Sequence, residues 1–201
     1  MRYDYANISG MTLEFSVDPE LTGALRNEIV DCWVEVTQAG GAVGFVPPVT
    51  RAEVEPVAEL SFAGVAAGRD RLVLGRAAAG PGTAGLDAEG PGREGPGAGR
   101  VAALAFIVDG QFGLSRHWRT VKRVMVHPDF QGSGHGVQLM DAVARVGRSM
   151  ELEMLTLDCR GGTGVEAFYK RCGYTEWGRF PRALRVAPDD YRDSVSLYLP
   201  L

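Results

Sequence analysis

The stretch that most constrains this chain runs from Val121 to Met150, where a short apolar strand is followed by a glycine-rich turn and then by a helix. The strand pattern stops at His127-Pro128, because proline cannot donate a hydrogen bond within a central sheet. The turn from Gln131 to Gly136 contains three glycines, and residues at helical spacing follow it. A helix N-terminus leaves backbone N–H groups unpaired, and glycine lets an anion approach them closely. The stretch therefore predicts an anion site of the kind that binds phosphate.

Two well-known phosphate-binding patterns fit this turn poorly. A P-loop requires a lysine followed by Ser or Thr after its last glycine, and this turn has neither. The dinucleotide fingerprint is closer, since Gly132 and Gly134 are followed by a helix, a strand and an acid, Asp158. Its third glycine, however, falls on Gly136 where the fingerprint needs it at Val137. The anion is therefore expected to be held by a different kind of loop.

Length and composition predict one ordinary globular domain over residues 1–201. The chain is long enough for one well-buried core and short for two domains. Its net charge of -4 and pI near 5.4 argue against nucleic-acid binding, which needs a basic face. No apolar run suits a signal peptide or a membrane span, and the three cysteines lack metal spacing. We expect a cytoplasmic protein with reduced thiols, no membrane partner and no metal ligands.

Periodicity along the rest of the chain predicts the element order β-α-α-β-β-β-α-β-α-β-β. Thr50 is a plausible N-cap for the second helix. Strands are predicted at 12–17, 71–76, 101–108, 118–126, 154–158, 174–179 and 194–199, and helices at 20–38, 51–67, after the glycine-rich turn, and at 165–172.

Residues 77–100 form a segment that interrupts this pattern. The segment holds eight glycines and three prolines among its 24 residues. Such a composition buries too little apolar surface to offset the entropy of ordering it. We predict a flexible Gly/Pro-rich loop between two antiparallel strands; a lid over a substrate is the functional alternative.

The turn and the segments around it resemble the GNAT superfamily of N-acetyltransferases. Gln131-x-x-Gly134-x-Gly136, placed five residues after Val126, is similar to the family's pyrophosphate loop for acetyl-coenzyme A. Residues 167–174, AFYKRCGY, resemble the end of a late helix in the family, and the similarity extends from about Thr12 to Leu199. The resemblance implies the GNAT fold, an α+β architecture whose mixed, mostly antiparallel seven-stranded sheet has a central parallel β-α-β crossover and flanking helices.

Several shorter segments resemble the small-molecule branch of the superfamily that includes the tabtoxin resistance protein. They are Arg116-His117, Leu157-Asp158, Gly178-Arg179-Phe180-Pro181 and Asp193-Ser194-Val195. The resemblance implies acetyl transfer from acetyl-coenzyme A to the primary amine of a small molecule, such as an antibiotic or specialised metabolite, by a monomer or homodimer without a nucleic-acid partner. Acetylation of a peptide or protein, or binding of acyl-coenzyme A without catalysis, remain open alternatives.

The resemblance also implies which residues hold the coenzyme and protonate its thiolate. Backbone groups of a β-strand would pair with the pantetheine arm, and those of the turn would hold the pyrophosphate. Tyr169 would face the sulfur and donate a proton to the departing thiolate, as a phenol can. The residues expected to bind the coenzyme are Val124, Met125, Val126, Gln131, Gly132, Ser133, Gly134, His135, Gly136 and Tyr169.

The general base is less clear from the sequence. Many relatives carry a glutamate on the motif strand where this chain has Thr120, which does not ionise. His117 lies just upstream, and imidazole is the side chain that ordinarily titrates near neutral pH. Asp158 could orient the acceptor or merely hydrogen-bond a turn, and His117 could be a solvated loop residue. Loss of the amine proton through water is a further alternative.

Other reactive or aromatic residues have simpler interpretations. His127 and His135 are expected to be structural or solvated. An acyl-cysteine on Cys159 is disfavoured, because no base is paired with it in the sequence. The tryptophans and Phe45 could line an acceptor pocket, although core packing is the default for aromatic residues; the tryptophans are Trp33, Trp118 and Trp177.

Overall fold

The computed structural model describes residues 13–77 and 99–201 of the chain. Within them, seven strands form one sheet and four α-helices cover it. The strands are β1 (Leu13–Val17), β2 (Arg71–Ala77), β3 (Val101–Val108), β4 (Trp118–Val126), β5 (Met154–Arg160), β6 (Thr175–Ala187) and β7 (Asp190–Pro200). The helices are α1 (Gly23–Gln38), α2 (Arg51–Ala66), α3 (His135–Ser149) and α4 (Val165–Arg171).

The sheet has the mixed topology that the sequence predicts. Its strand order is β1-β2-β3-β4-β5-β7-β6, and neighbours are antiparallel except for the parallel pair β4 and β5. Parallel neighbours need a crossover connection, which α3 supplies. The predicted fold class and element order are confirmed.

Two apolar cores lie on opposite faces of the sheet. One is shared with α1 and α2 and contains Trp33, Phe62 and Phe106. The other is shared with α3 and contains Leu139 and Leu155. Strand residues alternate between these cores because successive side chains point to opposite faces, so the site residues can be assigned to a face from their cross-strand partners.

The ends of α1 and α2 follow local sequence signals. Thr22 caps α1 by accepting the Leu25 N–H through its hydroxyl oxygen at 3.2 Å. Thr50 precedes α2, as predicted, and donates its N–H to the Glu53 carboxylate at 2.8 Å. Gly40 follows α1 with a φ of 89°, a left-handed conformation that favours glycine. These signals are local, and they explain why both helix boundaries could be predicted closely.

The C-terminal hairpin is longer than predicted. β6 continues to Ala187 instead of ending at 179, and β7 begins at Asp190 instead of 194. Pro181 interrupts the apolar alternation that the prediction followed, but the pairing of β6 with β7 shifts register between Phe180 and Leu184. Proline is tolerated on edge strands and at such irregularities, and β6 is an edge strand.

The glycine-rich insert falls largely outside the described residues. Ala77, which the sequence assigned to the insert, is the last residue of β2 and pairs with Leu13. Arg76 and Val101 pair across the two strands that flank the insert, so the segment connects an antiparallel hairpin. Residues 78–98 themselves, and with them the choice between a loop and a lid, lie outside the described residues.

Candidate active site

The site begins where β4 and β5 diverge. The two strands pair only from Trp118 to Thr120 on β4, which face Met154 to Thr156 on β5. Arg123 on β4 has a φ of 55°, and the pairing with β3 shifts register nearby. An extra residue of this kind bends a strand away from its neighbour. The bulge therefore accompanies a gap in the sheet beyond Thr120.

A cleft of about 690 Å³ occupies this gap, and we call it the strand-gap cleft. Its walls come from β4, β5, α4, the start of α3 and the loop between α1 and α2. Met125 and Ser133 do not line it. Eight residues predicted to bind the coenzyme do line it: Val124, Val126, Gln131, Gly132, Gly134, His135, Gly136 and Tyr169.

The backbone of β4 explains why Met125 does not line the cleft although Val124 and Val126 do. The His127 N–H donates to the Ala102 carbonyl on β3 at 2.8 Å. In an antiparallel ladder, alternate residues direct both backbone groups to the same side, so Met125 also turns its groups toward β3. Its side chain is fully buried in the core beneath α1 and α2. Val126, by contrast, presents its backbone groups to the gap, where its carbonyl accepts the side-chain amide of Gln131 at 2.9 Å.

The glycine-rich turn places the start of α3 against the cleft. Gly132 and Gly134 each have a φ of 81°, which L side chains rarely adopt. Val137 donates its N–H to the Gly134 carbonyl at 3.0 Å, so helical bonding begins there. At Gly136 a Cβ would lie 3.2 Å from the Phe168 ring, a close approach between α3 and α4. The turn therefore needs glycine for backbone conformation at two positions and for packing at the third.

His127 and His135 are structural parts of this region. His127 is buried, accepts the Asp129 N–H at Nδ1, and has Nε2 2.5 Å from the Glu35 carboxylate. His135 is buried with Nδ1 2.8 Å from the Phe130 carbonyl. Both side chains contact the segment that leads from β4 into α3, as the structural interpretation of them expects.

Tyr169 of α4 lines the strand-gap cleft from the face of α3. It is 7% exposed and packs edge-to-face on Tyr174, with ring centroids 5.8 Å apart. Burial raises the pKa of Tyr169, so its phenol stays protonated at neutral pH. Burial also raises the pKa of the Cys159 thiol, in the same cleft, to about 11, which makes the thiol a poor nucleophile.

A second cleft of about 480 Å³ opens beside the first, and we call it the aromatic cleft. Trp118, Trp177 and Tyr198 contribute its aromatic walls. Thr120, Leu157 and Asp158 line both clefts, so the two meet at these residues. Of the aromatic residues singled out in the sequence, Trp118 and Trp177 line this cleft, whereas Trp33 is fully buried in the core and packs on Phe45.

The candidates for a base are placed very differently. Asp158 is exposed at the junction of the two clefts, and its carboxylate accepts the Ser196 hydroxyl at 2.5 Å. Thr120 also lies at the junction, with its hydroxyl 3.3 Å from that of Thr156. His117 is exposed, precedes β4 and lines neither cleft. The structure thus brings Asp158 and Tyr169 to the clefts and leaves His117 outside them.

Sequence reasoning missed two cations on β4. Lys122 and Arg123 both line the strand-gap cleft. Arg123 donates to the Val43 carbonyl at 3.2 Å and lies over the Trp33 ring, 5.1 Å from its centroid. Burial lowers the pKa of the Arg123 guanidinium. The strand alternation could have assigned Lys122 to a face, but only the bulge shows that this part of β4 borders a cleft.

In the ranges 13–77 and 99–201, no cluster of three or more His, Cys, Asp or Glu side chains could hold a metal ion. Across the same ranges, no helix is long and apolar enough to cross a membrane.

Comparison with known proteins finds one family model that matches part of the chain and several solved structures with the same fold. Residues 97–176 match the family described as acetyltransferase (GNAT) domain. An acetyltransferase of the GNAT family from Streptococcus pneumoniae is 14% identical, with a TM-score of 0.65 over 94% of this chain and 100% of its own.

Two further structures represent different classes of acceptor. Ribosomal-protein-alanine N-acetyltransferase from Brucella melitensis is 15% identical, with a TM-score of 0.66 over 92% of this chain and 99% of its own. Spermidine N-acetyltransferase from Vibrio cholerae, in complex with CoA and spermine, is 13% identical, with a TM-score of 0.66 over 92% of this chain and 95% of its own. At these identities the likeness establishes the fold.

Proposed function

We propose that the chain is an N-acetyltransferase of the GNAT superfamily, whose domain model matches residues 97–176, and that it transfers an acetyl group from acetyl-coenzyme A to the primary amine of a small molecule. The observation that carries the proposal is the meeting of two clefts at Asp158. The strand-gap cleft borders a helix N-terminus, as a pyrophosphate requires. The aromatic cleft, of about 480 Å³, has the volume of a small-molecule site.

The residues of the strand-gap cleft suit both the pyrophosphate and the pantetheine arm of acetyl-coenzyme A. The N–H groups at the start of α3 would hold the pyrophosphate, with Gly134 allowing its close approach. The gap-facing backbone of Val126 would pair with the pantetheine arm, as an added strand pairs with an exposed edge. Acetyl-coenzyme A supplies the acetyl group as an activated thioester, which this arrangement directs toward the junction at Thr120 and Asp158.

The acceptor would bind as an ammonium, lose one proton to water, and attack the thioester carbonyl as the neutral amine from the aromatic cleft. The C–S bond would then break, and the nitrogen would release its second proton as the amide forms, in balance with the proton taken up by the thiolate. Asp158 would hydrogen-bond the amine and orient it, while Tyr169 on the opposite face of the sheet would protonate the departing thiolate. Well-oriented reactants alone lower a barrier by roughly 7–11 kcal/mol in intramolecular reactions. The reaction would therefore need the amine held against the thioester and one proton donor, Tyr169. His117 would have no role in it.

Two lines of support favour a small acceptor. The chain resembles, in the segments around Asp158 and Asp193, the branch that includes the tabtoxin resistance protein. The Vibrio cholerae structure contains spermine, a small amine. Acetylation removes a positive charge and a hydrogen-bond donor from an amine, so detoxification of an antibiotic or specialised metabolite is a fitting role. The Brucella melitensis enzyme, named for a ribosomal protein, keeps a peptide acceptor as the competing hypothesis.

The test is release of coenzyme A from acetyl-coenzyme A over a panel of small amines and peptides, with calorimetry of acetyl-coenzyme A binding. Turnover on small amines supports the proposal. Turnover on peptides alone assigns the competing acceptor, and binding without turnover assigns a non-catalytic role. If calorimetry detects no binding of acetyl-coenzyme A, the acyl-transfer proposal is wrong.

A further inference from the structure

We propose that the acceptor carries an acidic group as well as its amine, and that Lys122 binds that acid. The acceptor is then a small zwitterion of the amino-acid type. This inference rests on the proposed function and names the substrate class of the same site.

Lys122 and Asp158 lie on the same face of the sheet. Lys122 of β4 is the cross-strand partner of Phe106 in β3, and the Phe106 ring belongs to the core beneath α1 and α2. Leu157 belongs to the core beneath α3, so its neighbour Asp158 points to the opposite face, toward α1 and α2. Both charged side chains therefore face the side of the sheet that carries the loop between α1 and α2.

Lys122 and Asp158 also occupy equivalent positions along β4 and β5, on opposite sides of the gap. Thr120 of β4 pairs with Thr156 of β5 in parallel register. Two residues further along each strand are Lys122 and Asp158, where the strands have already separated. Both line the strand-gap cleft. One cation and one carboxylate thus face the same opening from opposite walls.

Neither charge is neutralised by a partner within the part of the chain that the structure describes. The Lys122 ammonium makes no ion pair or hydrogen bond there. The chain's other lysine, Lys170, is bonded to Glu176 at 3.1 Å. Asp158 accepts a hydrogen bond from the neutral hydroxyl of Ser196 and forms no ion pair there. A ligand with one positive and one negative group would satisfy both side chains.

The neighbouring cation strengthens the preference for an acid near Lys122. Arg123 follows Lys122, and its guanidinium contacts the Val43 carbonyl and the Trp33 ring instead of a carboxylate. Two adjacent cations without a carboxylate partner create a positive potential that attracts an anion. Asp158, on the other wall, attracts the amine and holds it at the junction with the aromatic cleft. The apolar part of the acceptor would rest against Trp118 and Tyr198.

The experiment compares matched acceptors: the standard amino acids, the corresponding amines without the carboxyl group, and the corresponding carboxamides. In the unaltered protein we expect kcat/KM for the best amino acid to exceed that of its decarboxylated amine and of its carboxamide at least tenfold. Lys122→Gln should bring this ratio close to one by raising KM for the amino acid, with KM for acetyl-coenzyme A unchanged. Lys122→Arg should retain most of the ratio.

Lys170→Gln is the matched control, because it removes the chain's other lysine from an exposed ion pair outside both clefts. It should leave the ratio unchanged. Equal turnover of amines with and without the acid would overturn this inference while leaving the proposed function intact, and so would a loss in Lys122→Gln that is the same for both acceptors. Turnover of peptides alone would overturn both.

Discussion

Tyr169 is the side chain that we propose as the proton donor, and its burial bears directly on that role. Its phenol lines the strand-gap cleft while its ring packs among Phe168 and Tyr174. Burial raises its pKa, so the proton is present at neutral pH. A thiolate is a weaker base than this phenolate, so the phenol would hydrogen-bond the departing sulfur and pass its proton on only as the acetylated nitrogen releases one. The residue is therefore suited to act as an acid and unsuited to act as a base.

Replacing Tyr169 by phenylalanine tests this role. We expect kcat to fall at least tenfold with little change in the affinity for acetyl-coenzyme A, because the ring packing remains and only the proton donor is lost. Steady-state kinetics and calorimetry give the two quantities. Unchanged turnover at saturating substrates would discard the role.

Tyr174→Phe provides the control for that experiment. The Tyr174 hydroxyl is buried without a hydrogen-bond partner among the described residues. Removing an unsatisfied buried hydroxyl is neutral or stabilising. We therefore expect Tyr174→Phe to keep its turnover and to unfold at the same or a higher temperature.

The pH dependence of the reaction distinguishes Asp158 from His117. We expect His117→Ala to keep the pH–rate profile of the unaltered protein, because the imidazole lines neither cleft. Asp158→Asn should lower kcat/KM for the amine at least tenfold, since the orienting carboxylate is lost. Loss of a limb near pH 6–7 in His117→Ala would restore the imidazole as the base.

At the scale of elements, the short turn before α3 and the bulge of β4 would act on one ligand under the proposed function. The turn directs backbone N–H groups toward the cleft, and the bulge accompanies the separation of β4 from β5. Gly134 is the residue on which the turn depends, because its φ of 81° precedes the first helical hydrogen bond.

Gly134→Ala therefore should raise KM for acetyl-coenzyme A about tenfold or more. An L side chain in the left-handed region costs roughly 1–2 kcal/mol, and relief of that strain would turn the N–H groups away from the ligand. Gly68→Ala is the matched control: its φ is 68°, a Cβ there meets no atom within 4 Å, and it lies outside both clefts. Gly68→Ala should lower the unfolding temperature and leave KM unchanged. An equal change of KM in both variants would contradict the assignment.

At the scale of the whole molecule, β2 and β3 hold the ends of the glycine-rich insert together. The Ala77 N–H donates to the Arg100 carbonyl at 3.1 Å. Closing a loop between paired strands depends only weakly on its length. We therefore predict that the sheet forms without the insert.

Replacing residues 79–97 by a short glycine-serine turn tests the insert directly. We expect the shortened protein to fold, to bind acetyl-coenzyme A and to acetylate the same acceptor, as the loop hypothesis requires. Circular dichroism, calorimetry and coenzyme A release measure these properties. Loss of turnover with retained binding of acetyl-coenzyme A would instead favour the lid.

Alkaline pH should destabilise the whole fold. Burial raises the pKa of Cys32 to about 12 and those of Cys159 and Cys172 to about 11, against roughly 8.5 for an exposed thiol. Below about pH 8 the thiols are protonated in both states, so stability is unaffected. As pH rises through 9 to 11 the unfolded chain ionises and the folded chain does not, so the free energy of unfolding should fall. Urea unfolding at pH 7 and pH 10 measures this; Cys32→Ala should reduce the difference.

Local signals account for the parts of the fold that were predicted well. A few neighbouring residues are enough to predict the helix cap at Thr50, the turn at Gly134 and the apolar strand β3. The length of the C-terminal hairpin was predicted too short, because Pro181 breaks the sequence pattern of a strand. The strand nevertheless continues past Pro181, where its pairing with β7 is irregular. The residues proposed to bind the coenzyme were predicted from the motif, whereas Lys122 and Trp177 belong to no motif and their place beside the clefts depends on the pairing of strands.

By itself the sequence determined the order of elements, the mixed sheet and the glycine-rich turn before α3, because these follow from periodicity, proline and glycine at short range. Only the tertiary structure decided which charges face the site. The separation of β4 from β5 depends on a bulge and on pairing with distant strands, and it places Lys122 opposite Asp158 while leaving His117 outside. Chemistry at this site depends on contacts between residues far apart in the chain, which a local pattern does not encode.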